Sequence, residues 1–227
     1  MKIVLPVWIF AMIISLTSCG QSAPQSQNKK SEPAIKVGGN CEGCEAVYES
    51  PVPFEKLNSV VTLPDYNEPG PKMEISGTIY KADGTPAPNV VLYVYHTDQT
   101  GKYTTKGNEK EWRKRHGYIR GWLKTNAKGE YKFYTLRPAP YPGEKIQAHI
   151  HPVIKEPDFN EYYIDEIVFD DDPVVNAGYK DKMQLRGGDG VMKLYEKNGI
   201  LLGHRDIILG LNIPNYPKTK TPLQTNK

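Results

Sequence analysis

Short hydrophobic runs of alternating or β-branched character, separated by turn residues, dominate the chain from Met73 onward. Such alternation is typical of half-buried strands, and Asp83-Gly84 and Asn198-Gly199 are typical of the turns between them. The charged segment 108–116 is interpreted as a loop. The pattern predicts an all-β fold, an antiparallel β-sandwich of about 7–9 strands with long loops. The predicted strands cover residues 74–80, 90–97, 118–125, 130–135, 145–153, 164–169, 191–195 and 200–211.

The N-terminus has a different pattern, an almost wholly apolar run over residues 3–16 that follows the basic residue Lys2. A run of this length is short for a membrane span and is typical of a signal-peptide core. Small residues precede Cys19, and the segment resembles the lipobox of bacterial lipoproteins. Residues 1–18 are therefore predicted to be a lipoprotein signal peptide, and Cys19 a lipid anchor on a bacterial membrane, facing the periplasm or the cell exterior. An ordinary secretory signal with an incidental Cys19 is the alternative.

Composition divides the rest of the chain into four segments. Residues 19–40 are rich in Gln, Ser, Lys, Pro and Gly and bury too little apolar surface to offset the entropy of ordering, so we expect a flexible tether. An N-terminal extension (41–72), the sandwich (73–215) and a C-terminal tail (216–227) follow. The net charge of +3 is small and the lysines are scattered, which argues against a nucleic-acid partner. The only membrane contact predicted is the lipid anchor at Cys19.

Two further cysteines form the sequence Cys41-Glu42-Gly43-Cys44. Outside the cytoplasm this spacing allows a small structural disulfide, which is the preferred interpretation. A thioredoxin-like redox motif would open a helix inside a βαβ unit, and no such alternation follows here. A zinc site would need two further thiol or imidazole ligands, and the chain has no second CxxC.

Two histidines and one tyrosine are the first candidates for chemistry. His149 and His151 stand two residues apart in a predicted strand, so their side chains project from the same face and can converge on one point. Imidazole is the commonest metal ligand in proteins. Tyr141 lies among three prolines that restrict the backbone around its phenol. A packed tyrosine in a rigid turn and two hydrogen-bonded surface histidines remain the alternatives.

Several spaced motifs follow one another along the chain. They are Gly77-Thr78-Ile79, Asp83-Gly84-Thr85-Pro86, Asn89 to Tyr95, Gly101-Lys102-Tyr103, Arg120-Gly121, Thr125, Gly129 to Pro138, Pro140-Tyr141-Pro142, Ala148-His149-Ile150-His151 and Phe169 to Pro173. In this order they resemble the core of the intradiol ring-cleavage dioxygenases, the family of the catechol and protocatechuate dioxygenases. The resemblance extends over about residues 73–173.

The resemblance implies a non-haem Fe(III) centre with Tyr103, Tyr141, His149 and His151 as ligands. It also implies an activity: a catechol-type substrate and O2 combine, and the ring opens between its two hydroxyl-bearing carbons to a muconate-type diacid. Ferric iron is a hard acid and phenolate a hard donor, so two tyrosines suit the ferric state. In the family the axial tyrosine, here Tyr141, leaves the metal when substrate binds and can accept a substrate proton.

One departure from the family affects the expected rate. Ile146 stands where well-studied members have an arginine that stabilises negative charge on the substrate, and Gln147 replaces the usual proline. Gln147 is expected to share the face of the two histidines and to reach substrate. Arg120 could supply charge from a neighbouring strand, although packing or solvation is an alternative role. Loss of one electrostatic donor can lower a rate by orders of magnitude.

Three functions are compatible with these observations. The first is an exported intradiol dioxygenase. The second is a binding module of the same shape, related to transthyretin-like and carboxypeptidase-associated domains. The third is an iron-holding protein without efficient turnover, which Ile146 makes conceivable. Retention of all four ligand types at the family's positions argues against the binding module.

Overall fold

The computed structural model of the protein describes residues 36–107 and 109–218. These ranges contain two 3-10 helices (Cys44–Glu49 and Phe54–Lys56), two α-helices and twelve strands. The α-helices are α1 (Glu111–His116) and α2 (Ala177–Lys180). The strands are β1 (Val60–Thr62), β2 (Lys72–Tyr80), β3 (Val91–His96), β4 (Arg120–Lys124), β5 (Glu130–Leu136), β6 (His149–Lys155), β7 (Tyr162–Tyr163), β8 (Ile167–Phe169), β9 (Val191–Met192), β10 (Tyr195–Lys197), β11 (Ile200–His204) and β12 (Ile207–Ile208).

The predicted signal peptide, the Cys19 anchor and most of the tether lie outside the described residues, as does most of the predicted C-terminal tail. Among the residues that are described, no helix has the length and hydrophobicity needed to cross a membrane.

Two six-stranded sheets make up the fold. The first has the strand order β1-β5-β2-β11-β10, with β12 also pairing with β2. The second has the order β4-β3-β6-β8-β9, with β7 also pairing with β6. The prediction of an all-β fold is confirmed.

The prediction of a purely antiparallel arrangement is wrong, because both sheets are mixed. β1 pairs with β5, β11 and β12 pair with β2, and β8 pairs with β9 in parallel. Short turns join only antiparallel neighbours, whereas parallel neighbours need a longer crossover. The turn residues in the sequence therefore predict the hairpins. They do not predict which strands pair across a large separation in sequence, such as β2 with β11.

The segment 108–116, interpreted as a loop, contains α1. The charged residues Glu111 and 113–115 of α1 are exposed, but His116 is buried and Trp112 is half-buried against neighbouring aromatic rings. The Trp112 and His116 rings lie 5.5 Å apart between centroids. The packing of these two side chains, one turn apart, stabilises a helix that the local pattern of the segment does not predict.

One cluster of buried side chains draws on both sheets. Alternate residues of β2 are buried, as its sequence pattern predicts, and Ile75 meets Phe133 of β5 on the inner face of the first sheet. Leu92 and Ile150 reach the same cluster from β3 and β6 of the second sheet. The central strands of both sheets therefore contribute to a single core.

The outer face of the second sheet is covered by the cysteine-containing segment. Ala46 and Val47 are buried against Tyr93 and Trp122, and the Trp122 indole N–H donates to the backbone oxygen of Val47 at 2.8 Å. A disulfide joins Cys41 to Cys44 at the start of this segment, which confirms the preferred interpretation of that pair. Because β3 is covered on both faces, its side chains are buried almost without alternation.

Acidification is expected to destabilise the fold through His96. The ring is buried, its Nδ1 donates to the oxygen of Thr97 at 2.7 Å, and its Nε2 accepts from the Thr135 hydroxyl at 2.7 Å. Burial lowers the pKa of His96 to about 4 from an ordinary 6.5. Between pH 6.5 and about pH 4, the unfolded chain therefore binds up to one more proton at this residue than the folded chain does. Within that range, the free energy of unfolding should fall by up to about 1.4 kcal/mol for each pH unit of acidification.

Urea unfolding between pH 7 and pH 4 measures this contribution. His96→Gln should make the dependence of the free energy of unfolding on pH shallower within the window and leave it unchanged above pH 6.5. An identical pH dependence in the variant and the wild type would contradict the assignment to His96.

Candidate metal centre

The two candidate tyrosines lie on loops that are tied to each other. A turn at Asp98 precedes Tyr103, and the Asp98 carboxylate accepts from the backbone N–H of Thr100 at 2.7 Å. The Thr97 hydroxyl donates to the oxygen of Ala139 at 2.7 Å, and the Ala139 N–H donates to the oxygen of Asp98 at 3.2 Å. These bonds place the loop that carries Tyr103 beside the loop that carries Tyr141.

The two candidate histidines project from β6 as their spacing predicts. The Nε2 atoms of His149 and His151 lie 3.1 Å apart. His149 is buried, and the side chain of His151 is 24% exposed. The Tyr95 ring stacks on the His151 ring, with 4.5 Å between centroids and 17° between planes. This stacking restricts the rotation of the imidazole.

The structure brings all four candidate donors together. The Tyr103 oxygen lies 2.9 Å from the Tyr141 oxygen and 2.8 Å from Nε2 of His151. The Tyr141 oxygen lies 3.3 Å from Nε2 of His149. Two phenol oxygens and two imidazole nitrogens therefore face one point from two loops and one strand.

Hydrogen bonds on the far side of each imidazole determine which nitrogen is free. Nδ1 of His149 lies 2.8 Å from the backbone oxygen of Gln147, which can only accept, so Nδ1 carries the proton. Nδ1 of His151 lies 3.2 Å from the Glu166 carboxylate. Burial lowers the pKa of His151 well below its usual value, with a smaller contribution from His149. Both Nε2 atoms therefore present lone pairs to each other, an arrangement that a cation between them would stabilise.

The phenols suit a strongly charged, oxygen-preferring cation. Burial, and then the neighbouring Tyr141, raise the pKa of Tyr103; burial likewise raises the pKa of Tyr141. Without a cation both groups stay protonated at neutral pH. A metal ion reverses this preference because its charge stabilises the phenolate. The residues present thus fit Fe3+, for which two phenolates and two neutral imidazoles are appropriate donors.

Gln147 and Arg120, the other two candidate catalytic residues, have partners of their own. Gln147 is buried, and its side-chain amide donates to the Tyr179 hydroxyl at 3.1 Å. Arg120 is also buried, and its guanidinium pairs with Glu49 at 2.6 Å and contacts the Tyr93 hydroxyl at 3.5 Å. Beside His151 there is a cavity, described below, and neither of these two side chains lines it. Direct contact with substrate therefore remains a prediction for both.

Glu166 is a site residue that the sequence analysis missed. Donor atoms of His149, His151 and Glu166 lie within 4.8 Å of one another. Glu166 immediately precedes β8, whose antiparallel register with β6 pairs His149 with Val168 and Ile150 with Ile167. Continuing that register places Glu166 opposite His151. In the sequence, Glu166 is a carboxylate within the predicted strand 164–169. Only the pairing of that strand with β6 shows that this carboxylate lies beside His151.

A cavity of about 560 Å³ lies beside His151. Tyr95, His151, Glu166 and Tyr179 line one part of it, and the disulfide-bonded residues 41–44 line another. Its volume is within the range of small-molecule sites. It touches only one of the four candidate ligands, so the distances between donor atoms, and not the cavity, define the centre.

Gly101→Ala is expected to separate the two tyrosine loops and to lower stability. Gly101 has a φ of +76°, and a Cβ there would lie 2.1 Å from the backbone oxygen of Pro140. The positive φ alone costs an alanine about 1–2 kcal/mol, and the close contact adds to it. Gly84, with a φ of +82° and no atom within 4 Å of an added Cβ, provides the matched control. Urea unfolding should show a larger loss for Gly101→Ala than for Gly84→Ala, and equal losses would contradict the close approach.

Comparison with known proteins identifies the family. The sequence profile of the dioxygenase family matches residues 48–184, which is more than half of the chain. A hydroxyquinol 1,2-dioxygenase of Corynebacterium glutamicum is 26% identical over 120 residues, an alignment that covers 46% of this chain and 38% of that protein. The chain thus spans about two fifths of the length of this curated relative.

Solved structures share the fold. The dioxygenase domain of a dioxygenase and carbohydrate-binding protein fusion from Streptomyces sp. SirexAA-E is 22% identical, with a TM-score of 0.51, over 70% of this chain and 94% of that chain. Catechol 1,2-dioxygenase from Acinetobacter sp. ADP1 is 20% identical, with a TM-score of 0.52, over 72% of this chain and 61% of that chain. Together with the match over residues 48–184, these likenesses show that the chain belongs to the intradiol ring-cleavage dioxygenase family.

Proposed function

We propose that this protein is an Fe3+-dependent intradiol dioxygenase that opens a catechol-type ring with O2 to a muconate-type diacid. The observation that carries the proposal is the convergence of the Tyr103 and Tyr141 oxygens with Nε2 of His149 and of His151, at separations of 2.8–3.3 Å. When bound there, Fe3+ would supply Lewis acidity toward both catechol oxygens and withdraw electron density from the ring.

The protein's own residues would position the metal and move a proton. His149 and His151 belong to β6 and are fixed by the sheet, so they would hold the metal throughout. Tyr141 lies on the loop between β5 and β6, where a displacement breaks no strand pairing. As a phenolate, the Tyr141 oxygen would accept a proton from an arriving catechol hydroxyl. Tyr95 and the disulfide-bonded segment would exclude water from one side of the substrate.

A second candidate is an iron-holding protein with slow turnover. Ile146, at the position of the family's arginine, offers no charge, and the Arg120 guanidinium is already paired with Glu49 at 2.6 Å. Of the residues lining the cavity, only Lys182 is a permanent cation, and it is exposed. The binding of iron is therefore expected to be retained more fully than the rate of catalytic turnover.

Oxygen consumption separates the two functions. Protein loaded with Fe3+ is mixed with catechol, and O2 uptake is compared with the amount of ring-opened diacid; labelled O2 should place both atoms in the product. Zn2+-loaded protein is the control, because zinc has no redox chemistry. Iron binding without O2 uptake across a panel of catechols would favour the iron-holding protein, and absence of iron binding would reject both candidates.

We also propose that the sheets form a sandwich and that the protein is exported and anchored through Cys19. The core shared by β2, β3, β5 and β6 supports the sandwich. The apolar run and the small residues before Cys19 support the anchor. Labelled fatty acid should be incorporated into the wild type expressed in a bacterium and not into Cys19→Ser, and equal labelling would contradict the anchor.

A further inference from the structure

Glu166 meets His151 on the side that faces away from the other donors. Its Oε1 lies 3.2 Å from Nδ1 of His151. The Tyr103 oxygen and Nε2 of His149 lie 2.8 Å and 3.1 Å from Nε2 of His151. Because the two nitrogens point to opposite sides of the imidazole ring, a metal on Nε2 is directed away from Glu166. Although three donor atoms of His149, His151 and Glu166 lie within 4.8 Å, only the histidines face the centre.

Glu166 is itself held by a second residue of the same neighbourhood. The amide nitrogen of Gln147 lies 3.4 Å from Oε2 of Glu166 and 3.1 Å from the Tyr179 hydroxyl. The backbone oxygen of Gln147 accepts from Nδ1 of His149 at 2.8 Å. Gln147 therefore contacts the outer nitrogen of one histidine directly and that of the other through Glu166.

We propose that Glu166 is a positioning residue for the metal centre, with Gln147 as its support. A carboxylate that accepts from Nδ1 of His151 fixes the tautomer, holds the ring in the plane set by Tyr95, and increases the electron density at Nε2. Partners of this kind change metal affinity or activity by about 10–100-fold when removed. The inference rests on the proposed function only in that it requires the centre to bind Fe3+.

Two substitutions of Glu166 separate positioning from direct coordination. Glu166→Gln keeps an oxygen acceptor of the same shape and removes the charge, whereas Glu166→Leu removes the acceptor. The apparent Kd for Fe3+, measured by competition with a chelator, should rise about 10–100-fold in Glu166→Leu and less than about 10-fold in Glu166→Gln. Glu161→Gln is the matched control, since its carboxylate accepts from the exposed Tyr48 hydroxyl. Its Kd should equal that of the wild type.

The phenolate-to-iron charge-transfer band provides a readout that is independent of activity. Loss of the anionic partner makes Nε2 a weaker donor and the iron a better electron acceptor, so the band should move to longer wavelength in both variants. If Glu166→Leu does not fold, the band of the isosteric Glu166→Gln still tests the proposal. An unchanged band in Glu166→Gln would overturn it.

The other possible results separate a failure of this inference from a failure of the proposed function. Equal losses of affinity in Glu166→Gln and Glu166→Leu would show that the hydrogen-bond acceptor kept in Glu166→Gln contributes nothing, and would overturn the positioning role. A wild type that binds Fe3+ with a charge-transfer band, together with an unchanged Kd in Glu166→Leu, would contradict this inference alone. A wild type that binds no Fe3+ would reject the proposed function and this inference together.

Discussion

Tyr103→Phe is expected to abolish tight binding of Fe3+ and the red colour that a ferric phenolate produces. Its oxygen lies 2.9 Å from the Tyr141 oxygen and 2.8 Å from Nε2 of His151, at the centre of the donor group. Removing it takes away an anionic donor that the ferric state requires. Because loss of an outer partner already costs about 10–100-fold, loss of a ligand should raise the apparent Kd by more than about 100-fold. His151→Ala should have a similar effect, and O2 uptake with catechol should fall to background in both.

Chelator competition and the visible spectrum measure this effect. Tyr134→Phe is the matched control, because it removes the same hydroxyl from a half-buried tyrosine of β5 outside the donor group. It should keep both the colour and the affinity of the wild type. A Tyr103→Phe protein that holds iron as tightly as Tyr134→Phe would contradict the assignment of the centre.

Glu49→Ala is expected to destabilise the fold by about 3–5 kcal/mol, because it leaves a buried guanidinium without its partner. The Arg120 and Glu49 side chains are only 3% and 18% exposed, and their charged atoms lie 2.6 Å apart. The other Glu49 oxygen accepts from the backbone N–H of Trp112 at 3.0 Å, so α1 also loses an anchor. Urea unfolding at neutral pH measures the change.

The double substitution Glu49→Leu, Arg120→Leu should lose less stability than Glu49→Ala, because no unpaired charge remains buried. Glu42→Ala, which removes the exposed partner of Arg115, is the control and should have a smaller effect than Glu49→Ala. Arg120→Leu also tests the catalytic alternative for this residue. A stable Arg120→Leu protein with a much lower kcat and an unchanged KM would show that Arg120 acts on the reaction and not only on packing.

The position of the cysteine-containing segment would not follow from its sequence. Residues 41–72 lack the alternation of the predicted sandwich, and we expected only an extension with a disulfide. In the structure Val47 packs on Trp122, and residues 41–44 line the cavity beside His151. Nothing local in residues 41–47 specifies these contacts, because they depend on side chains of β4 and β6 that lie far along the chain.

Local patterns in the sequence were sufficient to predict most of the strands and, with the family's motifs, the four candidate ligands. The short strands β1 and β7 were not predicted. Alternation along β2 and the two-residue spacing of His149 and His151 are local properties, since neighbouring residues of a strand point to opposite faces whatever the strand pairs with. The family's motifs supplied Tyr103 and Tyr141 for the same donor group.

Which of these elements contact one another depends on the tertiary fold. The register of β8 against β6 places Glu166 behind His151, the parallel pairing of β2 with β11 makes the first sheet mixed, and Glu49 captures Arg120. Each of these contacts joins residues that are far apart in the sequence or belong to different strands. Such contacts depend on the closure of long loops and on the packing of a shared core, and the local pattern of residues specifies neither of these.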